Sequence, residues 1–104
     1  MRKVILDIET DGLKPKKVWV VVTKDLDTKE VLTLRNPTHE TLKEFLGGVT
    51  HIIGHNIIAF DVPVLDRLLG FDSASVRLTD TLFSRDYATL LWKVDTASES
   101  GEYD

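Results

Sequence analysis

Asp7 and Glu9 stand two residues apart inside Val4-Ile5-Leu6-Asp7-Ile8-Glu9-Thr10, an apolar run rich in β-branched residues that breaks at Asp11-Gly12. Such a run reads as a buried strand, and residues i and i+2 of a strand share a face, so the two carboxylates point the same way. Paired anions on a buried strand repel each other and lose hydration; a hard divalent cation such as Mg²⁺ or Mn²⁺ relieves both costs. The plainer alternative is the solvated face of an edge strand, with Asp11-Gly12 only making a turn. A second cluster, His55-Asn56-Ile57-Ile58-Ala59-Phe60-Asp61, sets polar residues at a strand end and a carboxylate at the start of the helix that follows. Ligands of α/β sheets gather at such strand ends and helix N-termini, so Asp61 is a candidate third acid for the same site. Its plainer role is to cap its own helix.

The elements that must position these residues follow from hydrophobic period and turn chemistry. Val18 to Thr23 reads as a second strand, Asp25-Leu26-Asp27-Thr28 as a turn, and Glu30 to Leu34 as a third strand, an antiparallel meander begun by the acidic strand. Thr38 is placed to cap a helix carrying Leu42, Phe45 and Leu46, which stops at Gly47-Gly48. His51 to Asn56 reads as a short buried strand, and Phe60 to Leu69 as a helix with Pro63 in its first turn. Arg77-Leu78-Thr79 is a last strand, and Asp80 is placed to cap a final helix to about Trp92. The order βββαβαβα predicts an α/β mixed sheet of about five strands flanked by helices.

Several other side chains read as structural. His51 and His55 straddle a strand, Trp19, Tyr87 and Trp92 fall in apolar stretches that suit packing, and Lys14, Lys16 and Lys17 read first as a solvated loop, with contact to phosphates as the alternative. No serine lies in a nucleophile elbow, and no glycine loop could cradle a phosphate. The absence of cysteine excludes disulfides, zinc-thiolate sites and a thiol nucleophile.

Residues 1–94 read as one domain and 95–104 as an acidic tail expected to fray. The formal net charge is -4, but Asp95, Glu99, Glu102 and Asp104 sit in the tail, leaving 13 acids against 13 Lys and Arg in the body. A neutral body argues against a basic stripe that reads duplex, and leaves open a grip on one strand end through metal ions. No apolar stretch approaches membrane-spanning length and the N-terminus lacks the apolar region of a signal peptide, so a cytoplasmic protein, in host cytoplasm if phage-encoded, is the expectation.

Three stretches in order resemble a known family. Asp7-Ile8-Glu9-Thr10 with Gly12-Leu13 resembles the first motif of the DEDD superfamily of 3′→5′ exonucleases, and Asn56-Ile57-Ile58-Ala59-Phe60-Asp61 its second. Asp80-Thr81-Leu82 is similar to a strand-to-helix segment of the proofreading domains of family A DNA polymerases, in particular those of short-tailed phages, where His-Asn and Asp-Val-Pro also surround the second motif. The resemblance covers about Val4 to Leu90. It implies a ribonuclease H-like fold and a site with two divalent ions, Mg²⁺ or Mn²⁺, that hydrolyses the phosphodiester at the 3′ end of single-stranded or frayed DNA. Asp7 would bridge both ions, Glu9 would hold the one that carries the water, and Asp61 would support the second. Thr10, Leu13, Asn56 and Phe60 would position the terminal nucleotide, and His55 and Asp80 would stand behind the ligands.

The family's third motif, Tyr or His four residues before a last Asp, has no counterpart: Asp86, Asp95 and Asp104 are preceded at that spacing by Leu82, Leu91 and Ser100. Its loss points to weakened activity, and keeps alive a fragmentary or catalytically degenerate module that binds metal, a strand end or a DNA polymerase. A ribonuclease shares the same motifs. The edge of the third strand, Val31 to Leu34, suggests pairing with another copy as a homo-oligomer.

Overall fold

The computed structural model describes residues 2–81; the expected final helix and the acidic tail 95–104 lie outside them. β1 (Arg2–Thr10), β2 (Val18–Asp25) and β3 (Val31–Arg35) form the expected meander. α1 (His39–Phe45), β4 (Val49–Gly54), a π-helical turn (Ile57–Asp61), α2 (Val62–Leu69), a short 3₁₀ turn (Ser73–Ser75) and β5 (Arg77–Asp80) follow. The five strands make one mixed sheet in the order β3-β2-β1-β4-β5. β1 is central, antiparallel to β2 and parallel to β4. β2 and β3 are antiparallel, β4 and β5 parallel.

Alternation along β1 divides the interior in two. Val4, Leu6 and Ile8 face the helices and join Leu42 and Leu46 from the α1 region and Val62, Val64 and Leu65 of α2 in the main core. Ile5 faces the other way, with Val20, Val22 and Ile53 and the partly buried Leu26 and Val31. Thr38 caps α1 as expected. Its hydroxyl accepts the Thr41 N–H at 3.2 Å, and the Thr41 hydroxyl accepts the Thr38 N–H at 2.8 Å. The Nδ1–H of His39 at the start of α1 donates to the Leu69 carbonyl at the end of α2 (2.8 Å), tying the two helices together.

The second helical segment begins earlier than its periodicity predicts. The chain leaves β4 through a π turn because Gly54 lets the Ile57 side chain close down on the strand end. A Cβ at Gly54 would meet the Ile57 side chain and come 2.8 Å from the Leu6 carbonyl oxygen. Ile57 is thereby fully buried, and Asp61 is carried to the junction between the π turn and α2.

Candidate functional site

Asp7 and Glu9 lie opposite Val22 and Val20 on β2, so both share the sheet face away from the helices. Each is half-buried on the central strand, which disposes of the solvated edge strand as their setting. Immediately after Glu9 the pairing shifts: Glu9 faces Val20, but Thr10 faces Val18. This bulge turns Val18 into the main core and leaves Trp19 with no partner on β1. Trp19, expected to pack, is 45% exposed, with the Lys17 Nζ 4.0 Å from the centre of its ring.

The loop that follows is built by its own polar groups. The Thr10 hydroxyl donates to the Gly12 carbonyl at 2.9 Å. The Asp11 carboxylate accepts the Lys16 and Lys17 N–H groups at 2.9 and 3.1 Å. Those two backbone donors, Lys16 foremost, hold the Asp11 carboxyl below its ordinary range. Arg67 of α2 donates to the carbonyl of the buried Pro15, clasping the loop against the helix. Leu13, at the loop's outer turn, is 94% exposed.

The second motif is held by a carboxylate from far along the chain. Asp80 ends β5, where it is 4% exposed, and its two oxygens accept the Asn56 N–H (2.8 Å) and the Ile58 N–H (3.1 Å). Asp80 therefore caps the π turn: the first N–H groups of any helical turn lack internal acceptors, and this carboxylate supplies them; the final helix it is expected to cap lies outside the described residues. With that anchor Asn56 adopts a left-handed backbone, φ 58° and ψ 28°. Asp61 is 6% exposed and makes no capping hydrogen bond to α2, so the plainer reading of this residue, a helix cap, does not describe it. Of the two histidines, His55 lies beyond the end of β4, exposed, with its Nδ1 3.0 Å from the Thr81 hydroxyl. His51 is buried in the strand with its Nε2 2.6 Å from the Thr79 hydroxyl. Burial first, then the charges of Arg77 and Lys3, pull the His51 pKa down.

The loop after β1 and the π turn before α2 face each other across a groove of about 530 Å³. Leu13, Lys14 and Lys16 line it from one side, and Phe60, Pro63 and Arg67 from the other. The structure thus sets Leu13 and Phe60 along one groove and adds Arg67. The helical spacing of Phe60, Pro63 and Arg67 was the available signal for that third cation. Thr10 and Asn56 serve first to shape the two walls.

No protein-family model, curated protein or solved structure matches the chain. What it can do must be argued from its own groups. The donor chemistry of Asp7, Glu9 and Asp61, carboxylate oxygens alone, suits Mg²⁺ or Mn²⁺ over softer metals. Among the described residues, no group of three or more His, Asp or Glu side chains is arranged to hold one ion. Asp7 and Glu9 are the pair with a common face; Asp61 is buried at the start of α2. Lys14, Lys16 and Arg67 put positive charge on the groove, which suits a polyanion; Asp7, Glu9 and Asp61 are not among its lining residues.

Proposed function

We propose that this chain is a ribonuclease H-like 3′→5′ exonuclease domain that removes nucleotides from the end of a DNA strand with two divalent ions. The sheet supports the fold: an antiparallel meander on one side of an acidic central strand, parallel strands on the other, and helices packed on the face opposite the acids. The observation that carries the reading is the groove, because it lies between the loop that follows the first motif and the turn that holds Phe60 of the second, and its lining suits a strand end. Leu13 and Phe60 offer apolar surface to a terminal base, and Lys14, Lys16 and Arg67 offer charge to its phosphates.

In this reading Asp7 and Glu9 would hold the divalent ions, with Asp61 contributing from the start of α2. Bound divalent ions supply a water of lowered pKa and stabilise the departing 3′ oxygen. Asp11 and Arg67 keep the loop that carries Leu13 folded over the groove, and Asp80 fixes the turn that delivers Phe60 and Asp61. A second reading is a module that binds a strand end or a DNA polymerase without cutting; it is favoured by the acids themselves, no three of which gather to hold one ion among the described residues.

Digestion of 5′-labelled single-stranded DNA and RNA with Mg²⁺ or Mn²⁺, beside an identically purified Asp7→Ala variant, tests this. A ladder shortening from the 3′ end that disappears in the variant is the expected result, and the preferred nucleic acid names the substrate. No ladder above the variant, together with Mn²⁺ and oligonucleotide binding that Asp7→Ala weakens, would establish the binding module in its place.

A further inference from the structure

β3 ends the sheet, and among the described residues it pairs only with β2. The direction of its backbone groups follows from two bonds at its ends: the Asp25 N–H donates to the Glu30 carbonyl at 3.0 Å, and the Asn36 N–H to the Trp19 carbonyl at 2.8 Å. In an antiparallel ladder, hydrogen-bonded pairs alternate with non-bonded ones. With Thr23 opposite Leu32 and Val21 opposite Leu34, the inward-bonding residues of β3 are Leu32 and Leu34. Val31 and Thr33 therefore turn their N–H and C=O groups away from the sheet.

Natural edges are blunted by bulges, proline or lysine. β3 keeps an unbroken register against β2, has no proline, and from Val31 to Leu34 has no charge. Val31, Leu32 and Leu34 are only half-buried along this edge.

We infer that this edge pairs antiparallel with β3 of a second copy, making one sheet through both. A two-fold axis perpendicular to a sheet keeps each face on its own side, so residues meeting across it must share a face, which leaves only registers centred on a residue. The register centred on Thr33 bonds Thr33 to its twin through the outward groups. It sets Leu32 against Leu34 of the other copy, twice, on the helix-covered face, Val31 against Arg35 on the other face, and Glu30 against Asn36. Centring on Leu32 would oppose Glu30 to Leu34, and centring on Leu34 would oppose Leu32 to Asn36. The Thr33 register is thus the best complemented, with Leu–Leu and Thr–Thr cross-strand pairs, Val31 beside the stem of Arg35 and no like charges opposed, whereas centring on Leu32 sets Lys29 against Arg35. β2 separates this edge from β1, so the inference does not depend on the nuclease reading.

A five-residue strand buries less than a standard interface, so the dimer should dissociate on dilution. Sedimentation equilibrium of the full chain over a dilution series is expected to move between one chain mass of 11.7 kDa and twice that value. Thr33→Pro removes an outward N–H that the ladder with β2 does not use, and should give the single-chain mass throughout with an unchanged circular dichroism spectrum. If that variant loses its spectrum, Thr33→Lys decides, because it sets two ammonium groups against each other at the two-fold axis and should be monomeric at low salt. A single-chain mass for the wild type across the series overturns the proposal, as does association of a folded Thr33→Pro or, failing that, a Thr33→Lys variant as tight as that of the wild type.

Discussion

The two faces of β1 are the same nine residues under opposite demands. Val4, Leu6 and Ile8 meet two helices and are covered by aliphatic side chains from both. Ile5 shares the other face with Asp7 and Glu9, neighbours of valines across the strand pair. One face supplies cohesion, at roughly 25 cal/mol for each Å² of apolar surface removed from water. The other accepts the cost of holding two like charges together, which a stability-driven sequence would avoid. The difference teaches where to look for function: at the face where packing and chemistry disagree.

Substitutions on the two faces should therefore separate. Asp7→Ala should lower digestion by about a thousandfold, ~4 kcal/mol of barrier, while its urea midpoint shifts stability by less than about 1 kcal/mol, since relief of the Glu9 repulsion offsets lost contacts. A large stability loss in that variant would break the comparison. On the helix-covered face, Leu65→Ala should remove about 2–5 kcal/mol of stability, read from urea unfolding, because the fully buried side chain leaves a cavity. Its rate per folded molecule should stay near that of the wild type.

Asp80→Ala sharpens the division by touching the hinge between fold and site. Two backbone donors lose a buried carboxylate, which should lower stability by about 2 kcal/mol and loosen the Asn56–Ile58 turn. Amide hydrogen exchange at Asn56 and Ile58 should rise more than at Ile52 and Ile53. The smallest effect is expected from acid. The His51 pKa in the folded protein lies below its ordinary value, so the fold favours the neutral ring. The stability it contributes is complete above the ordinary pKa of about 6.5 and is lost as pH falls through that value toward the folded one. Urea midpoints at pH 7.5 and pH 5 should show this decline, and His51→Gln should reduce it.

The most legible parts of the molecule were those governed by residues close in sequence. The alternation of β1 placed Asp7 and Glu9 together, Asp25 closed its turn by accepting the Asp27 and Thr28 N–H groups, and Thr38 with Thr41 started α1. Each depends on backbone geometry within a few residues, so residue type and spacing suffice. Trp19 was misread as packing because its valine-rich surroundings conceal the bulge opposite Thr10, which arises from pairing with another strand.

What spacing cannot convey is which distant groups meet. Nothing local to Asp80 announces that its carboxylate serves a turn 24 and 22 residues earlier. Arg67 reaches the loop at Pro15 across 52 residues, and the groove between Leu13 and Phe60 exists only once that clasp is made. The sequence by itself determined the strands, the Thr38 cap and the shared face of the acidic pair, because local sterics and hydrophobic period decide those. Only the tertiary structure decided where the Asp80 carboxylate goes, how the groove is walled and which backbone groups of β3 face outward, because these follow from chain segments packing against one another.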